Sequence, residues 1–152
     1  MEYQKWYKEI VDITYDAISH LRRINTRGEN IGVVFDIDDT LLHTDGNPIL
    51  PMINLYNYVK SLDMVPIIIT YRSGDPKSIE YTRKQLDYHG ITGYRFLYCR
   101  PPDRITDPYR YKFISRKNAT ERGYKIVMSF GDQNWDIGQY GGMGYILPVY
   151  KK

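Results

Sequence analysis

Apolar positions recur every three to four residues through the start of the chain, at Tyr7, Ile10, Val11, Thr14, Ala17, Ile18 and Leu21. That period predicts an amphipathic helix over residues 3–23, broken by Arg27-Gly28-Glu29-Asn30. The pattern then changes. Ile31 to Phe35, Val65 to Thr70 and Tyr124 to Phe130 are short and largely apolar without a helical period. Such runs predict strands covered on both faces. Tyr94 to Tyr98 and Tyr145 to Val149 are predicted as two further strands. Helices are predicted between them. One opens at Pro51 and runs to about Leu62. The next two are punctuated at both ends, by Asp75-Pro76 and Gly90, and by Asp107-Pro108 and Gly123. Asp supplies an N-cap, Pro the first helical residue and Gly the C-terminal stop. Strands alternating with helices predict an α/β fold with a mainly parallel sheet and helices on both faces. At 152 residues, one domain is expected.

The first strand ends in acid. Val33-Val34-Phe35-Asp36-Ile37-Asp38-Asp39-Thr40 places three carboxylates within four positions after a buried run. That is costly unless a positive charge lies among them, and a hard divalent cation takes oxygen ligands. Extended residues two apart share a side, so Asp36 and Asp38 can face one ligand while Asp39 faces away. In parallel sheets ligands bind beyond the C-terminal strand ends. Those ends carry Asp36, Thr70 and Asp132. The pattern predicts a metal-assisted site that handles phosphate.

Asp36 is the candidate nucleophile, since a carboxylate is already ionised at neutral pH. Asp38 is a candidate general acid and base, or a second plain metal ligand. Asp39 and Thr40 suit a turn or cap. Thr70 could donate to a phosphoryl oxygen, or close the strand by bonding backbone. Lys112, early in the helix opened by Asp107-Pro108, could stabilise developing charge; Arg116, Lys117 and Lys125 are its rivals. In Gly131-Asp132-Gln133-Asn134-Trp135-Asp136, two acids four apart could complete a magnesium shell or hold it by hydrogen bonds. The histidines His20, His43 and His89 lack metal-site spacing and are expected at the surface. Gly141-Gly142-Met143-Gly144 is expected to be a flexible turn.

Composition narrows the classes. No stretch approaches the roughly 20 apolar residues of a membrane span, and Met1 to Ile10 has no apolar leader core. With Cys99 as the only cysteine, a reducing, cytoplasmic setting without a membrane is expected. Net charge is +3, but residues 95–125 hold nine Lys/Arg against three Asp/Glu. That is either a solvated face or a field for phosphorylated substrates.

The four stations Asp36-Ile37-Asp38-Asp39-Thr40, Thr70, Lys112 and Gly131-Asp132 with Asp136 resemble the motifs of the haloacid dehalogenase (HAD) superfamily. Tyr111-Lys112, Arg116-Lys117, Gly123-Tyr124, Ile126-Val127 and Gly131-Asp132-Gln133 with Asp136 are similar to its class B acid phosphatase and plant vegetative storage protein branch. The resemblance implies a Rossmann-like three-layer sandwich and a phosphoaspartate phosphatase using Mg2+. Asp36 and Asp132 would hold the metal by side chain and Asp38 by its backbone carbonyl, with Asp136 a second acidic group. It implies that Thr70, Arg72 and Lys112 contact substrate. The branch usually has Gly before that arginine; Tyr71 stands here and is expected to narrow the pocket or alter substrate choice. Only 33 residues separate Asp38 from Arg72, so a minimal or absent cap domain is expected. A phosphorylated small molecule is the expected partner. A nucleic-acid end is the alternative substrate, and a non-catalytic storage or binding protein the alternative role.

Overall fold

The structure is a computed structural model that describes residues 2–151. The first helix, α1 (Tyr3–Leu21), forms where the apolar period predicts it and buries Trp6, Ile10, Thr14, Ala17 and Leu21. Then follow β1 (Asn30–Phe35), α2 (Leu50–Ser61), β2 (Val65–Ser73), α3 (Pro76–Tyr88), β3 (Leu97–Arg100), α4 (Pro108–Glu121), β4 (Tyr124–Gly131) and β5 (Met143–Ile146). The two Asp-Pro signals work as expected. Asp75 Oδ1 accepts from Ser78 N at 3.0 Å, and Asp107 Oδ1 from Arg110 N at 2.9 Å.

All five strands are parallel, in the order β3-β2-β1-β4-β5. The chain builds outward from β1 to one edge, then crosses to the other side with β4. That reversal makes a crevice above the C-terminal end of β1. Side-chain alternation divides the core between the two faces. Val33, Phe35, Ile68 and Phe130 pack with α1, α2 and Leu86 of α3. Val34, Ile67 and Ile69 pack with Tyr111 and Ala119 of α4. Helices therefore cover both faces, as a HAD-like Rossmann-type fold requires.

One irregularity sets the far half of β4. Gly32 pairs with Ile126 and Val33 with Met128, so Val127 is an extra residue. A bulge of this kind reverses the facing of everything beyond it. Ile126 packs on the α4 side and Met128 on the other, although they are two apart. Gly142 makes room for the bulge: a Cβ there would lie 2.2 Å from the Val127 carbonyl carbon.

Four expectations are corrected. The strand predicted over 94–98 is Leu97–Arg100. Arg95 N still donates to the Pro66 carbonyl at 2.8 Å, but Pro66 has no N–H with which to continue a ladder. The strand predicted over 145–149 is Met143–Ile146, because Gly142 lets the chain join β4 early. Met143 and Gly144 are thus sheet residues and not a flexible turn. His43 is half-buried and not a plain surface residue, its ring 5.0 Å from that of Trp6.

Trp6 ties the first helix to the end of the chain. Its indole N–H donates to the Pro148 carbonyl at 2.6 Å, and its ring is 1% exposed. Trp6→Ala is expected to destabilise the fold by about 3–5 kcal/mol, read from the midpoint of urea unfolding. Among the described residues no helix is long and apolar enough to cross a membrane.

Candidate active site

The ends of β1, β2 and β4 converge in the crevice, and α4 supplies a cation from below. Lys112 is 2% exposed. Its ammonium lies 3.0 Å from Asp36 Oδ1, 2.6 Å from Asp136 Oδ1 and 2.7 Å from the Ile69 carbonyl. Burial works against its charge, but Asp36 and Asp136 outweigh burial and hold the ammonium above its ordinary pKa. Among the rivals, Lys117 is exposed and Lys125 pairs with Glu29 at 3.6 Å.

Asp36 follows the last residue of β1 and takes its backbone bond from β4, with Asp36 N donating to the Phe130 carbonyl at 3.0 Å. Burial pushes its carboxyl well above the usual range. Lys112 pulls it down, and Asp136 and Asp132 push it up again. Oδ1 is committed to Lys112, while Oδ2 accepts no hydrogen bond among the described residues. Carboxylate oxygens of Asp36, Asp132 and Asp136 all lie within 4.8 Å of one another. Lys112 is one cation against three carboxylates. A hard divalent cation with oxygen ligands fits both the donor set and the residual charge.

Asp136 is braced. Its Oδ2 accepts from Asp132 N at 3.1 Å and Gln133 N at 3.0 Å, closing the turn after β4. This places its carboxylate hard against Gly131, where a Cβ would lie 2.1 Å from the Asp136 Cβ. Asp132 stays half-exposed, its Oδ2 accepting from the Gln133 amide at 3.1 Å.

Asp38 turns elsewhere. Arg72 grips it with two bonds, Nε to Oδ2 at 2.9 Å and Nη2 to Oδ1 at 2.7 Å. Nη1 donates to Gln85 Oε1 at 2.7 Å. The Asp38 carboxylate is thus engaged by Arg72 and is not among the clustered acids Asp36, Asp132 and Asp136. Arg72, expected on substrate, spends its fork on Asp38. Thr70 is 1% exposed, and its hydroxyl accepts from Arg72 N at 3.1 Å, which leaves the hydroxyl proton free to point elsewhere. Asp39 adopts a left-handed φ of 60° in the turn after β1. Burial raises its carboxyl pKa, with Asp132 and Asp38 adding to the rise.

Two residues act otherwise than the sequence suggests. Arg116 is 4% exposed and donates to the carbonyls of Trp135 and Gln139, both at 2.9 Å, so it pins the loop that carries Asp136. Tyr71 does not fill the crevice as expected. Its hydroxyl donates to the Thr106 carbonyl at 2.5 Å and its ring meets Tyr111 edge-on at 5.9 Å. Extended residues alternate, so Tyr71 follows Ile69 onto the α4 side. The basic stretch 95–125 also divides. Lys112 and Arg116 are buried, while Arg95 and Arg122 lie over the Phe96 ring at 4.8 and 4.1 Å.

Comparison with known proteins bears on the family and the fold. The chain is 26% identical to vegetative storage protein 1 of Arabidopsis thaliana, over 82% of this chain and 56% of that one. For vegetative storage protein 2 of the same plant the figures are 27%, 80% and 56%. The chain thus spans about half the length of these curated relatives. The class C acid phosphatase from Bacillus anthracis has a similar fold, with a TM-score of 0.67 at 15% identity over 90% of this chain and 66% of that one. Its tungstate-bound structure matches with a TM-score of 0.60 at 14% identity, over 90% and 67%. The family model for the HAD superfamily, subfamily IIIB (acid phosphatase), matches residues 43–146, which begin after Asp36 and Asp38 and include Thr70, Lys112, Asp132 and Asp136. The chain therefore belongs to subfamily IIIB of the HAD superfamily.

Proposed function

We propose that this chain hydrolyses phosphomonoesters of small molecules through a phosphoaspartate on Asp36, with Mg2+ as cofactor. The observation that carries this is the state of Asp36: one oxygen held by a buried Lys112, the other without a partner, at the sheet's switch point. Oδ2 attacks phosphorus, and the bond from phosphorus to the ester oxygen breaks. Asp38 gives that oxygen a proton, so an alcohol leaves. Asp38 then takes a proton from water, whose oxygen attacks phosphorus and releases phosphate, restoring Asp36. Lys112 and the Thr70 hydroxyl are positioned to meet charge on the phosphoryl oxygens. Asp36, Asp132, the Asp38 carbonyl and the acid at Asp136 would hold the magnesium, which supplies Lewis-acid polarisation of the phosphoryl group. The elements between Asp38 and α4 are only α2, β2, α3 and β3, which supports an open site with little or no cap. The single cysteine supports a reducing, cytoplasmic compartment.

Arg72 acts in this scheme by orienting Asp38. Arg72→Lys keeps the charge but cannot make the paired bonds. It is expected to lower kcat by about 10²-fold with a smaller effect on KM, in steady-state phosphate release.

The names of the plant relatives favour a second reading, a storage protein without catalysis. One assay separates the readings. Phosphate release is measured on nucleotides, sugar phosphates and short 5′-phosphorylated oligonucleotides, with magnesium and with chelator. Release from small esters that chelator removes and magnesium restores is expected, with tungstate inhibiting. A strong preference for oligonucleotides that falls steeply with salt would instead mark a nucleic-acid end phosphatase. No release from any ester, from a folded chain that binds magnesium, would establish the storage reading.

A further inference from the structure

Among the described residues, the Asp38 carboxylate receives its hydrogen bonds from Arg72 alone. Those two bonds join side chains that each hang on a flexible stem, and they do not tie the pair to the fold. The Asp38 side chain is 39% exposed, so packing holds it little. The remaining nitrogen of the guanidinium supplies the anchor. Nη1 donates to Gln85 Oε1 at 2.7 Å, and Thr82 Oγ1 lies 3.4 Å from the same nitrogen. Thr82 and Gln85 are three residues apart and share a face of α3. That helix is capped by Asp75 and packed into the core by Leu86, which makes it a firm mount. Gln85 is backed in turn. After Asp38 the chain doubles back in a hairpin, with Leu42 bridging Pro48 and His43 N donating to the Asn47 carbonyl at 2.8 Å. The tip rests on the Gln85 amide: a Cβ on Gly46 would lie 3.0 Å from Gln85 Nε2. The amide nitrogen thus faces the tip and the amide oxygen faces Arg72.

We infer that Gln85 is a positioning residue for the proposed reaction: through Arg72 it fixes the direction in which Asp38 presents its proton. This rests on the reading of Asp38 as the acid that protonates the leaving oxygen. A carboxylate has about four lone-pair sites. Arg72 takes one on each oxygen, which leaves one on each for a proton. An acid must lie within hydrogen-bond reach of the atom it protonates, and a misplacement of about 1 Å slows a reaction steeply. Without the acceptor at Gln85, Nη1 keeps only the long contact to Thr82, and the Arg72–Asp38 pair is free to swing as a unit.

The test compares two esters, benzyl phosphate and 4-nitrophenyl phosphate. A nitrophenolate leaves without a proton, whereas an alkoxide needs one, so the benzyl ester alone depends on the acid. Their kcat/KM values report the steps up to release of the alcohol. Gln85→Met keeps the length and helix preference of the side chain and removes the acceptor. It is expected to lower kcat/KM about tenfold for benzyl phosphate and less than about twofold for the nitrophenyl ester. A merely structural loss would lower both alike. Gln85→Glu keeps an acceptor for Nη1 and is expected to restore the native ratio between the two esters. Asp38→Asn, measured beside them, is expected to lose at least about 10²-fold on benzyl phosphate and far less on the nitrophenyl ester. If Asp38→Asn shows that selective loss while Gln85→Met keeps the native ratio, or if Gln85→Glu departs from it as Gln85→Met does, the role of Gln85 is overturned and Asp38 stands as the acid. If Asp38→Asn keeps the native ratio, or neither ester is hydrolysed, the acid reading falls and the positioning role falls with it.

Discussion

Replacing Asp36 by Asn is expected to lower phosphate release by at least about 10³-fold while leaving the chain folded. The substitution keeps the side chain's shape and leaves an amide oxygen to accept from Lys112, now 3.0 Å from Asp36 Oδ1. It removes the nucleophile's charge. Burial already works against that charge, with Asp136 and Asp132 adding to the effect. A neutral amide relieves it, so the melting temperature without metal should hold or rise. Magnesium should bind more weakly, because one of three clustered carboxylates is gone. Phosphate assays and thermal melts with and without magnesium measure both halves. Hydrolysis at the native rate by Asp36→Asn would end the phosphoaspartate mechanism.

Lys112→Met tests the other half of the site and should damage fold and activity together. The ammonium is the partner of two buried carboxylates, at 3.0 Å from Asp36 and 2.6 Å from Asp136. Removing one partner of a buried pair costs about 3–5 kcal/mol, because the remaining charges stay desolvated. For a chain of this size that lowers Tm by about 10 °C. Activity should fall by about 10²–10³-fold, the cost of losing one preorganised charge at the transition state. Excess magnesium should recover part of the stability and little of the rate, since a cation can neutralise Asp36 but cannot take the ammonium's place. A variant as stable as the native chain in chelator would show that the acids do not depend on Lys112.

The strand ends were legible because they rest on local rules. An apolar run that stops at an acid fixes where β1 ends, and the Asp-Pro caps fix where α3 and α4 begin. Asp36, Thr70, Asp132 and Asp136 could therefore be selected from residue type and order, whereas Lys112 was set apart from its rivals only by the family resemblance; the structure places the four at or just past neighbouring strand ends, with Lys112 reaching them from α4. Partner choice was not legible. Arg72 and Asp38 are 34 residues apart, and nothing in either segment says that the arginine's fork takes the aspartate. Arg116 read as one of several basic rivals to Lys112, because its carbonyl partners lie in a loop formed 19 or more residues later. The misplaced edge strands share a cause. Pro66 and Gly142 act through a neighbouring strand, and a hydrophobic pattern records only the strand it belongs to.

The extra residue at Val127 has a consequence for how relatives of this chain are compared. Beyond it, every residue of β4 faces the side that an unbulged strand would deny it, including the approach to Asp132. Deleting one residue there would draw the following turn back by about 3.3 Å and reverse Ser129 and Phe130. A homologue whose alignment needs a gap inside this strand thus has a differently assembled crevice floor, however well its motifs match.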